Sequence, residues 1–150
     1  YENTTYATVD MMALHTAAVK RGTQNKFIVT DIPFLTIGRS RDYLFEALDK
    51  IIKAGAHAVK VEGGSEVFQS IGDIIKAGIP VMGHLGLTPQ SVNQLGGYKV
   101  QGKKEDQAFT ILEDAKKLLK SIGYPTAGDK NALGTKAKSF VSCAIGRVNS

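Results

Sequence analysis

The sequence predicts a parallel α/β fold with helices packed outside the sheet, and three observations carry that prediction. Short runs rich in β-branched residues alternate with segments of helical apolar period. Ile51-Ile52-Lys53-Ala54-Gly55 recurs as Ile74-Ile75-Lys76-Ala77-Gly78, each copy followed by a β-rich run. The same five-residue stripe also occurs three times: Leu44, Phe45, Leu48, Ile51, Ile52; then Val67, Phe68, Ile71, Ile74, Ile75; then Ile111, Leu112, Ala115, Leu118, Leu119. Positions i, i+1, i+4, i+7 and i+8 line one side of a helix, so each helix covers an apolar surface on one side only. Strand and helix alternating at this spacing imply right-handed βαβ units, and periodicity alone leaves doubly wound sheet and barrel both open.

In chain order, a first helix spans Thr8 to Lys20 and a first strand Lys26 to Asp31. Ser40 sits where an N-cap belongs, and the helix after it ends at Gly55, a residue that takes the left-handed conformation other residues resist. The second strand is His57 to Glu62, followed by Ser65 as the next N-cap and Gly78 as the next stop. Ile79 to His84 forms the third strand. Beyond Gly123 the pattern breaks into the turn chemistry of Tyr124-Pro125-Thr126-Ala127-Gly128-Asp129-Lys130-Asn131, and within the tail only Ser139 to Ile145 suits a short strand. The expected division is therefore a domain over residues 1–123 and a divergent tail over 124–150.

A chain of 150 residues, 43% hydrophobic, is sized for one core. No apolar run approaches the roughly 20 residues of a membrane-spanning helix, and no basic patch leads an apolar segment at the N-terminus, so a soluble, unexported, cytoplasmic protein is expected. Cys143 is the single cysteine, which excludes an internal disulfide and fits a reducing compartment. Of the net charge of +5, residues 124 to 150 contribute +3, which leaves +2 for the rest. Without a basic stripe interleaved with aromatics, the excess reads as a solvated surface and not as a nucleic-acid interface.

Ligands of parallel α/β proteins bind beyond the carboxyl ends of the strands. Three consecutive strands end there in ionisable groups: Asp31, then Lys60 and Glu62, then His84. Lys60 and Glu62 are two apart and so share a face, where they line a polar cavity or form a structural ion pair. Asp31 also suits an N-cap or a turn, with Pro33 two positions on, and His84 a hydrogen-bonded structural role. Together, two carboxylates from neighbouring strands supply the hard oxygen ligands that Mg²⁺ prefers, and the lysine suits an anionic substrate. Glycine-rich loops follow at Glu62-Gly63-Gly64-Ser65 and Gly83 to Gln90, the first running into a helix start where amides would meet an anion unless it is simply a tight turn. Neither is a dinucleotide or Walker fingerprint. His15 and His57 read as structural.

Those segments carry a resemblance. Thr30-Asp31-Ile32-Pro33-Phe34, Val59-Lys60-Val61-Glu62-Gly63-Gly64, Gly83-His84-Leu85-Gly86-Leu87-Thr88-Pro89-Gln90-Ser91 and Gly96-Gly97-Tyr98-Lys99-Val100-Gln101-Gly102-Lys103 are similar to the signature segments of the ketopantoate hydroxymethyltransferase family, from Tyr1 to about Gly123. The resemblance implies a (β/α)8 TIM barrel of the phosphoenolpyruvate/pyruvate type, here a partial barrel of about strands three to five. It implies transfer of a hydroxymethyl group from 5,10-methylenetetrahydrofolate to 3-methyl-2-oxobutanoate, giving 2-dehydropantoate for pantothenate synthesis, in a homodecamer. It further implies Mg²⁺ held at Asp31 and Glu62, with Asp31, Lys60 and His84 in the keto-acid pocket. The family's base, a glutamate at the end of the sixth strand, has no counterpart, so no catalytic residue is identified.

A barrel needs about 250 residues, so the chain holds about half the staves, and the first two strands would precede Tyr1. Two alternatives accompany the enzyme reading: a non-catalytic truncated remnant, and another Mg²⁺-dependent α-keto-acid barrel of the phosphoenolpyruvate mutase and isocitrate lyase type, against which the Gly96 to Lys103 loop argues.

Overall fold

The computed structural model describes residues 2–91, 93, 96–122 and, as backbone, 140–144. Helix α1 (Val9–Gly22) starts one residue after Thr8, whose hydroxyl accepts from the Met11 amide at 3.2 Å. Strand β1 (Val29–Asp31) is shorter than predicted because the Ile28 amide donates to His57 Nδ1 at 2.9 Å instead of entering the ladder. A short helix α2 (Thr36–Arg39) leads into α3 (Arg41–Lys53), where Ser40 is the predicted N-cap, accepting from the Tyr43 amide at 3.2 Å. Strand β2 (Ala58–Glu62), α4 (Phe68–Lys76), β3 (Val81–Gly86) and α5 (Glu105–Ser121) follow. β3 begins after Pro80 because the Ile79 amide is still held by Ile74 at the end of α4 and proline has no amide to give.

The sequence echo is a repeated helix stop. Gly55 (φ 112°) donates to the Ile52 carbonyl at 3.0 Å and Gly78 (φ 85°) to the Ile75 carbonyl at 2.9 Å, the same bond in both copies. Ser65 differs from the expectation. It lies inside a 3-10 turn, Ser65–Val67, and caps nothing, because the Gly64 carbonyl takes the Val67 amide at 3.1 Å and the Ser65 carbonyl takes that of Phe68. The Gly64 amide is held by the Glu66 carboxylate at 2.9 Å. That bond also removes the loop amide from service as an anion site.

The strands are parallel, in the order β1-β2-β3-β4, with β4 (Phe140–Ala144) beside β3. The strand expected within Ser139 to Ile145 is thus present, while the turn expected at 124–131 lies outside the described residues. Among the described strands the order does not reverse, so these four include no switch point of the doubly wound kind.

One core lies between the helices and one sheet face. Val59, Val61 and Val81 are 0% exposed and pack in a single cluster with Leu44, Ile51, Ile71, Ile74 and Leu118. Burying each such side chain contributes about 1.5–3 kcal/mol. On the same face Thr30 and Thr16 of α1 share a buried hydroxyl hydrogen bond of 2.8 Å. Gly83 allows α5 to approach: a Cβ there would stand 2.3 Å from Leu118 Cδ2. The third apolar stripe is covered only in part, since Leu118 is buried but Leu112 is 52% exposed. Among the described residues no helix is long and apolar enough to cross a membrane.

Candidate functional site

The sheet face turned away from the helices carries the ionisable residues. Strand alternation sends Val59 and Val61 into the core and leaves Lys60 and Glu62 on the opposite side. The register sets Asp31 beside Lys60 and Glu62 beside His84, so the four predicted site residues meet across three adjacent strands.

Lys60 Nζ donates to Asp31 Oδ2 at 2.7 Å and stands 3.7 Å from Glu62 Oε1. His84 Nδ1 lies 3.3 Å from the same Glu62 oxygen. A carboxylate only accepts, so Nδ1 is the ring nitrogen that carries the proton in this contact. The Glu62 side chain is 4% exposed, that of His84 12%, Lys60 21% and Asp31 44%. The cluster therefore grades from an enclosed carboxylate to a solvent-facing one. Its polar atoms are satisfied: among the described residues no buried side-chain nitrogen or oxygen lacks a partner.

Sequence reasoning singled out the loop after β3 but missed the role of Gln90. Its amide N–H donates to Glu62 Oε2 at 3.0 Å and its side chain donates to the Ile32 carbonyl at 2.7 Å. One residue thus fixes the second oxygen of Glu62 and ties down the chain leaving β1. The only signal for it was its place in the loop that follows a strand ending in His84. Asp31 caps no helix, being held by Lys60. His57 is structural, accepting from the Ile28 amide and stacking on Phe27 with ring centroids 5.5 Å apart, and His15 lies exposed on α1.

Two clefts adjoin the cluster. One, of about 330 Å³, runs between the segment after β1 and the start of α4 and has Glu62 and Gln90 in its lining. The other, of about 360 Å³, lies over Gly63, Gly64 and Thr88, with Asp114 of α5 on its wall. The carboxylates of Asp31 and Glu62 are donors of the kind Mg²⁺ takes, since that ion binds through one or two carboxylates and completes its shell with water and substrate. An ammonium group stands next to both, and among the described residues no three His, Cys, Asp or Glu side chains converge on one point. The donor chemistry fits Mg²⁺ as a partial set of two.

Comparison with known proteins gives a consistent result. The ketopantoate hydroxymethyltransferase family model matches residues 1–124. A 3-methyl-2-oxobutanoate hydroxymethyltransferase of Legionella pneumophila (strain Lens) is 51% identical over 116 residues, which cover 77% of this chain and 44% of the relative. The enzyme of the same name from Thermotoga maritima is 49% identical over 120 residues, 80% of this chain and 44% of the relative. That from Clostridium botulinum (strain Langeland) is 55% identical over 117 residues, 77% of this chain and 42% of the relative. The chain thus spans less than half the length of these relatives.

Proposed function

Because the chain belongs to the ketopantoate hydroxymethyltransferase family, we propose that it supplies the keto-acid half of a 3-methyl-2-oxobutanoate hydroxymethyltransferase. The transfer takes a proton from C3 of the keto acid, forms a carbon–carbon bond to the methylene carbon of 5,10-methylenetetrahydrofolate and releases tetrahydrofolate, with water giving the hydroxyl oxygen of 2-dehydropantoate. The observation that carries the reading is the convergence of Asp31, Lys60, Glu62 and His84 at the ends of three adjacent strands in a chain so similar to enzymes of that name.

Within it, Lys60 presents an ammonium group to the substrate carboxylate while remaining neutralised by Asp31. Glu62, with both oxygens bonded, holds Lys60 and His84 in place, and His84 closes the pocket on the β3 side. Asp31 and Glu62 would hold Mg²⁺, which when bound supplies Lewis acidity to the oxygens of the keto acid. β4 reads Phe-Val-Ser-Cys-Ala and carries no carboxylate, so in this reading the chain binds and orients and the proton acceptor lies elsewhere.

The sequential parallel order with helices on one face supports a sector of a (β/α)8 barrel, β1 to β3 being its third to fifth staves, with residues 124–150 a tail that lends β4 to the edge. A homo-oligomer is the matching assembly. Calorimetric titration of 3-methyl-2-oxobutanoate with and without Mg²⁺ tests the reading. Metal-dependent binding that Asp31→Ala abolishes is the expected result, and binding indifferent to Asp31 and Lys60 would overturn it.

A further inference from the structure

Lys60 already draws on the two carboxylates that the reading above gives to Mg²⁺. Its Nζ donates to Asp31 Oδ2 at 2.7 Å and lies 3.7 Å from Glu62 Oε1. The strands tether it there, since Asp31 is its register partner on β1 and Glu62 lies two residues along its own strand on the same face. The lysine side chain is only 21% exposed, so water screens its charge less than on an open surface. A divalent cation coming to Asp31 and Glu62 therefore meets a positive charge seated on both.

A lysine at such a place acts in one of two ways, and the two have opposite signs. If it holds the carboxylates in position, its removal weakens ion binding. If it neutralises them in competition with the ion, its removal strengthens ion binding. The other contacts of Glu62 decide between the two. Its Oε1 lies 3.3 Å from His84 Nδ1, its Oε2 accepts from the Gln90 amide at 3.0 Å, and its side chain is 4% exposed, so it keeps its place without Lys60. Asp31, in turn, is carried at the end of β1 by the backbone ladder to β2. The lysine contributes charge here more than position.

We propose that Lys60 is a built-in competitor of the divalent ion, which makes retention of the ion conditional on an anionic ligand. The ammonium group lowers the pull of the two carboxylates on the ion until an incoming carboxylate supplies the missing negative charge. Ion and anion then strengthen each other's binding by the same factor. The proposal rests on the reading that Asp31 and Glu62 hold the ion, and adds the condition under which they do so.

MgCl₂ is titrated calorimetrically with no organic ligand into the unaltered chain, Lys60→Met and Lys60→Arg, each shown by circular dichroism to be folded. Mn²⁺, which takes the same oxygen ligands, is titrated in parallel with the free ion read by electron paramagnetic resonance. Lys60→Met should bind either ion about tenfold more tightly, and Lys60→Arg, which keeps the charge, no more tightly than the unaltered chain. Adding 3-methylbutanoate, a carboxylate with no keto oxygen to chelate the metal, should tighten the ion in the unaltered chain and not in Lys60→Met. Unchanged or weaker ion binding in Lys60→Met overturns the competition, and equal tightening by 3-methylbutanoate in both chains overturns the conditional retention. A gain in Lys60→Met that survives Asp31→Asn places the ion elsewhere and overturns the proposal together with the reading, as does the absence of ion binding in all variants. The expected gain without any binding of 3-methyl-2-oxobutanoate upholds the competition and overturns the keto-acid reading alone.

Discussion

The two faces of β2 differ more than any two separate elements of the molecule. On one, Val59 and Val61 are fully enclosed by the helix layer; on the other, Lys60 and Glu62, each a single residue away, take part in a network of ion pairs and hydrogen bonds. The helix-side face asks only for apolar groups that fill the space. The polar face asks for particular partners, because both oxygens of the enclosed Glu62 are held, one by His84 and Lys60 and the other by the Gln90 amide. Apolar burial is concentrated on the first face and polar pairing on the second.

The comparison breaks outright if the two faces are exchanged at one position. Val61→Asp places an unpaired carboxylate among Ile51, Ile71 and Ile74, at a cost of several kcal/mol against a total of about 5–15, and the cooperative urea transition should vanish. Gly83→Ala adds one methyl where Leu118 already stands, and the urea midpoint should fall by the equivalent of about 1–3 kcal/mol.

On the polar face Lys60→Met should change stability by about 1 kcal/mol, because Asp31 is exposed enough to be solvated and Glu62 keeps His84 and the Gln90 amide when the 3.7 Å contact is lost. The same variant should lose about ten- to a hundredfold in keto-acid affinity by calorimetry, the weight of one charge-assisted hydrogen bond. The smallest effect belongs to the solvent side of the helix layer. The hydrogen bond from Lys116, then its charge, holds Glu113 below the usual carboxylate value. A lowered value means the pair helps the fold above the ordinary carboxylate range and ceases to help as pH falls through the depressed one. Glu113→Gln should therefore lower stability slightly at neutral pH, leave it unchanged at low pH, and so flatten the acid limb of the stability curve.

The repeated helix stops, the order of elements and the four strand-end residues were legible in the sequence, because each follows from a local rule: Gly after a helix, period against period, and position at a strand's carboxyl end. The third apolar stripe misled in part. Periodicity reports which side of α5 is apolar, not whether anything lies beside it, and Phe109 and Leu112 are 64% and 52% exposed while Leu118, over Gly83, is covered. Ser65 misled for a different reason. A serine two residues before an apolar run has the look of a cap, but backbone carbonyls of the 3-10 turn take the amides it would have capped. Gln90 and Leu35 were invisible, since the bonds of the former span 28 and 58 residues and the conformation of the latter, at φ 60°, is not one leucine advertises.

Gln90 also makes the rim of the sheet a single mechanical body. With its amide on Glu62 and its side chain on the Ile32 carbonyl, the loop that leaves β3 is buttoned across the ends of β2 and β1, so none of the three can breathe alone. The Gln90 amide is then a natural gauge of occupancy: a ligand drawing on Glu62 alters the lifetime of that hydrogen, and its exchange with deuterated solvent should slow or quicken before any change of shape is visible.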